Sequence, residues 1–81
     1  MQLPTINING TDRADLLALY MRARKALDAA AGALSEASPH GRDYQTQEPG
    51  ALLQAQREHA DRMTAIRKVR AEIEAIAEHI I

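Results

Sequence analysis

The sequence contains no cysteine, no tryptophan and no phenylalanine, and each absence closes a route. Without thiols there are no disulfides to staple the fold and no thiolate metal sites. Tyr20 and Tyr44 are the whole aromatic complement, too few for a platform that stacks single-stranded nucleic acid. An excess of one charge is also missing. Ten basic residues face 11 acidic ones, for a net charge of −1, which gives no global signal for nucleic acid or an anionic membrane. No apolar run approaches the roughly 20 residues a bilayer span requires. Met1-Gln2-Leu3-Pro4 has neither a charged n-region nor an apolar h-region. The expected location is the cytoplasm.

What is present is Ala, Leu and Ile, the palette of helix–helix packing. At 81 residues there is room for one domain. The expected fold is all-α: an antiparallel two-helix hairpin with a short N-terminal arm at 1–11 and the hairpin at 12–81. Chains of this size usually need a disulfide, a metal or a partner chain for stability, so assembly into an oligomeric helical bundle is expected.

In the arm, Thr5-Ile6-Asn7-Ile8 alternates polar and apolar residues before the turn signal Asn9-Gly10. It reads either as an extended segment docked on the helices through Leu3, Ile6 and Ile8, or as a strand paired with another chain. Helix 1 is expected over about 12–38, capped by Thr11 or Asp12, with a heptad seam of Leu16, Tyr20, Ala23, Leu27, Ala30, Leu34 and Ala37. Gly32 beside Ala23 and Ala30 suggests close approach of a neighbour. Pro39 ends this helix, a polar loop follows over 39–48, and helix 2 is expected over about 49–80 with Pro49 in its first turn.

The seam of helix 2 reads Leu52, Gln56, His59, Met63, Ile66, Arg70, Ile73, Ala77 and Ile80. A second seam, Ile66, Val69, Ile73, Ile76 and Ile80, overlaps it. Two seams make a stripe too wide for one partner helix, which marks those five residues as the expected oligomer interface. His59 reads as a hydrogen-bonded interface histidine in preference to a ligand or a pH-sensitive element.

Arginines carry the main candidate for binding. Folding the hairpin about residue 43 places residues near 24 beside residues near 62. Arg22, Arg24 and Lys25 would then join Arg57, Arg62, Arg67, Lys68 and Arg70 in one basic belt able to hold an anion. The competing reading is a set of i,i+4 pairs, Glu58 with Arg62, Arg24 with Asp28 and Arg70 with Glu74. Arg24, Arg62, Arg67 and Arg70, with Arg42 and Tyr44 of the loop, are the candidate ligand-binding residues. In that loop Gly41 is read as permitting a left-handed turn. No nucleophile–base pair, metal-ligand spacing or phosphate loop is legible, so no enzyme activity, cofactor or metal is expected. The long connection does not suit a helix-turn-helix, which disfavours nucleic acid as a partner.

Ala37-Ser38-Pro39-His40-Gly41-Arg42-Asp43-Tyr44, followed by Gln56-Arg57-Glu58-His59-Ala60-Asp61-Arg62, resembles small uncharacterised phage and prophage helical proteins with a Pro-[His/Asn]-Gly-Arg-Asp-Tyr loop. The likeness spans roughly residues 11–80. Members often carry a second aromatic where this chain has Gln45, and no residue roles transfer from the group. The resemblance implies a non-catalytic binding protein acting in the host cytoplasm against a host antiphage defence or its nucleotide signal. Its partner would be a host protein or a small anionic ligand such as a nucleotide. The alternative is a structural or assembly oligomer, or a nucleic-acid-associated helical protein.

Overall fold

The computed structural model describes residues 1–6 and 12–81. Two α-helices pack against each other, α1 over Arg13–Glu36 and α2 over Ala51–Ile80, with a single 3-10 turn at Gly41–Asp43 between them. Among the described residues there is no strand. Asn7, Ile8, Asn9, Gly10 and Thr11, which carry part of the strand pattern and one of the two candidate caps, lie outside the described residues.

Asp12 caps α1: its carboxylate accepts the Ala14 N–H at 2.9 Å, satisfying one of the donors a helix start leaves orphaned. The helix ends two residues short of the expected boundary, at Glu36. Pro39 disfavours helical geometry at Ser38, and Ser38 turns back instead. Its N–H and its hydroxyl both donate to the Ser35 carbonyl, at 3.3 and 2.6 Å.

The second boundary moves for a different reason. Pro49 is not the first residue of α2, which begins at Ala51 behind an N-cap Gly50 with φ 92° and ψ −10°. Those angles, with the Ala51 N–H on the Glu48 carbonyl at 3.2 Å, define a type II turn with proline at its second position and glycine at its third. The left-handed glycine is therefore Gly50, not Gly41. Gly41 has an ordinary φ, and a Cβ there would meet only Leu52 Cδ2 at 3.7 Å. Gly50→Ala should destabilise by about 1–2 kcal/mol while Gly41→Ala stays near neutral; parallel thermal melts read the contrast.

The helices meet along one seam. In α1 the half-buried seam runs through Leu16, Tyr20, Ala23, Leu27, Ala31 and Leu34, with Leu17 and Arg24 half-buried beside it, and Ser38 continues it past the helix end. Beyond Leu27 the seam has rotated, so Ala30 and Ala37 stand exposed. In α2 Ala55 takes the inward place and Gln56 is solvent-facing. Among the described residues the buried side chains are Met63, Ala77 and Ile80. Ile80, expected at an oligomer interface, is 2 % exposed and belongs to the chain's own core. The arm reaches this end of the hairpin, where His79 Nε2 donates to the Pro4 carbonyl at 3.0 Å and Pro4 and Ile6 are half-buried.

The rod measures 61 × 21 × 16 Å and exposes 6207 Å². A compact monomer of 8.9 kDa exposes about 4,800 Å² by surface scaling. The hairpin thus leaves roughly 1,400 Å² more in water than a compact fold of its mass.

Candidate functional site

Pairing between the helices sets where every charged side chain sits. Asp28 Oδ1 accepts from Arg70 Nε, and Arg24 Nη2 lies 3.5 Å from Glu74 Oε1. Both pairs sum to 98, so the antiparallel register is centred near residue 49 and not near 43. Residues near 24 face residues near 74, and the expected meeting of Arg24 with Arg62 does not occur. The physical reason lies in the connection. Segment 37–50 is wound into successive turns, Asp43 N–H to His40, Tyr44 N–H to Gly41 and Gln47 N–H to Tyr44. It lies along the first turns of α2, which overhang the end of α1: Ser38 meets His59 and Gly41 meets Leu52.

The register brings the basic middle of α1 against the acidic end of α2. Arg70 also holds Glu74 within its own helix, Nη1 to Oε2 at 3.3 Å. The result is a chain of four, Arg24–Glu74–Arg70–Asp28, with each side chain between 33 and 47 % exposed. Charges this wet contribute little stability individually; what they specify is register, since slipping the helices by one turn would separate the two cross-helix pairs, Arg24–Glu74 and Asp28–Arg70. The hydrogen bond from Asp28, and next its charge, push the Arg70 guanidinium above its ordinary value. Arg70 therefore remains a cation wherever the helices persist, and its contribution would be lost only on the alkaline side. Of the three i,i+4 pairs expected, Arg70–Glu74 forms; Arg24 and Asp28 pair across the helices instead.

Arg24 and Arg70 are thus committed to the fold. Arg62, Arg67, Arg57 and Lys68 of α2, with Arg42 of the 3-10 turn, are exposed and make no ion pair among the described residues. They do not converge within one chain. Arg62 and Arg67 are five residues apart, about 140° round the helix, and Arg42 lies in the connection beyond the end of α1. Tyr44 is half-buried beside that turn.

His59 is held, not free. Ser38 has one hydroxyl proton and gives it to the Ser35 carbonyl, so at 3.1 Å its Oγ must accept from His59 Nε2–H. Asp28 and Glu74 are expected as partners within their own helices; their pairing across the helices is what periodicity missed, and counting the register from the Pro49–Gly50 turn would have found it.

Among the described residues no group of three His, Asp or Glu is arranged to hold a metal. An open depression bounded by Met21, Arg24, Lys25 and Asp28 lies on the outside of α1. Among the described residues no helix is long and apolar enough to cross a membrane. No protein-family model matches the chain, and neither a curated protein nor a solved structure is significantly similar to it.

Proposed function

We propose that this chain is a non-catalytic binding protein whose working form is an oligomer of hairpins. The observation that carries the reading is the ratio of core to surface: three buried side chains among the described residues against 6207 Å² exposed. A fold with so little interior gains stability chiefly by covering its apolar flank with further protein. Ile66, Ile73 and Ile76, half-buried, and Val69, 44 % exposed, are the residues of α2 that an assembly would cover.

The ligand in this reading is anionic and is held by Arg62 and Arg67, two of the cations that make no ion pair among the described residues, with Arg42 and Tyr44 at the connection. Arg24 and Arg70 drop out of the binding set because Asp28 and Glu74 neutralise them. Since Arg62 and Arg67 point apart on one helix, a single anion would be gripped by cations of two chains. The resemblance to phage helical proteins supplies the setting, interference with a host defence through a host protein or a nucleotide signal.

Light scattering on the purified protein, with and without a panel of linear and cyclic nucleotides, tests this. A multiple of the chain mass, with thermal stabilisation by one nucleotide that Arg62→Ala or Arg67→Ala abolishes without changing the mass, is the expected result. An oligomer indifferent to every nucleotide would redirect the reading to a structural or protein-capping role. A monomer at high concentration would end it.

A further inference from the structure

The two sides of the hairpin differ. Taking about 100° per residue, Arg24, Asp28, Arg70 and Glu74 all lie to one side of the seam. On the opposite side α1 presents Leu19, 53 % exposed, and a groove of exposed alanines at 26, 30 and 33. At the same levels α2 presents a ridge, Ile66, Val69, Ile73 and Ile76, of which Val69 is 44 % exposed. Charged residues border this surface, Arg62 and Glu58 toward the connection, Asp15 toward the arm, and Arg22 on its outer edge between Leu19 and Ala26. Met21 and Leu53, the other exposed apolar helix residues, stand on the network side and are not continuous with it.

We propose that a second copy of this chain docks on the side opposite the ion network, each copy's Ile–Val ridge seated in the other's alanine groove. The inference rests on the oligomeric reading above and gives it a face and a geometry. Three observations select a second copy as the occupant. Ridge and groove are both carried by one chain, so the surface is complementary to itself, as an isologous interface must be. They also stand at matching levels: Val69 and Ala30 sum to 99, close to the register sum of 98 set by Asp28–Arg70 and Arg24–Glu74. A two-fold axis parallel to the helices then brings each ridge onto the other groove with no slip along the rod. Finally, the surplus of about 1,400 Å² over a compact fold covers the roughly 800 Å² that each partner of a standard interface buries.

The arm does not compete for this surface within its described part, because Pro4 is tied to His79 at the hairpin's end. The product is a four-helix bundle in which every helix runs antiparallel to both neighbours. Small residues on one wall and branched residues on the other allow close interaxial packing, and both ion networks stay on the outer surface.

The absence of cysteine makes the test direct. Two single variants, Val69→Cys and Ala30→Cys, are prepared separately, mixed under denaturant, refolded together and oxidised. The expected product is a heterodimeric crosslink between Cys-bearing chains of the two kinds, with little product from either variant alone. Val69→Glu should weaken self-association by about 30-fold or more, the loss of a central buried contact, while Met21→Glu on the network side leaves the mass unchanged. A Val69→Cys crosslink formed by that variant with itself would mean α2 on α2 and overturn the pairing. An oligomeric mass with no crosslink and no response to Val69→Glu would overturn the face while leaving the oligomeric reading intact. A monomeric mass for the unmodified chain would overturn both.

Discussion

Replacing Ile80 by alanine is expected to lower the melting temperature by about 10–20 °C, the largest effect of any single truncation in the chain. Ile80 is 2 % exposed near Ala77 at 3 %, and directly follows His79, whose bond to Pro4 ties the arm to α2. Removing a buried isoleucine to Cβ costs about 2–5 kcal/mol, and about 1 kcal/mol moves the midpoint of a domain this size by 4–8 °C. A fold with three buried side chains has little margin, so the variant should be largely unfolded at 37 °C. Circular dichroism melts at fixed protein concentration read this directly. A shift of under about 3 °C would mean that Ile80 is not core and that the arm end carries no packing. Neighbouring Ile81, 77 % exposed, serves as the comparison: Ile81→Ala should change the midpoint hardly at all.

The second large effect is expected at Met63, the buried residue midway along α2. Met63→Ala should cost about 2–3 kcal/mol, whereas Met63→Leu, nearly equal in volume, should cost under about 1.5 kcal/mol. The distinction matters because Met63 opposes the last turns of α1, between Leu34 and the Ser38–His59 bond. Loss there should also expose the connection, so amides of 37–50 should exchange faster in Met63→Ala than in Ile80→Ala. Native-state hydrogen exchange separates the two variants, and equal exchange of this segment in both would show that the hairpin unfolds as one unit.

Much of the architecture was legible from the residues. The alternation of apolar threes and fours announced both helices and most of their seam, because side-chain period follows backbone geometry alone. Asp12 as a cap and Pro39 as a stop are local effects, settled within a few residues of chain. Their placement needed nothing distant.

The register was another matter. It depends on how much of segment 37–50 is consumed in climbing along α2, and no periodicity encodes that. The consequence ran through the charges: with the pivot near 49, the cations of α1 meet Glu74 rather than Arg62. A supposed single basic belt is divided into a paired network and a few unpaired arginines. Gly50 rather than Gly41 as the left-handed residue has the same origin, since a proline–glycine pair suits both a helix start and a type II turn.

The sequence by itself determined that this protein is two amphipathic helices without cysteine staples, because composition and period act locally. Only the tertiary structure decided which residues face each other and hence which arginines are free. It also decided that Ile80 is interior while Val69 is bare. Those properties arise from contacts between residues about 40 or more positions apart, whose alignment is set by the path of the connection and the fit of two surfaces.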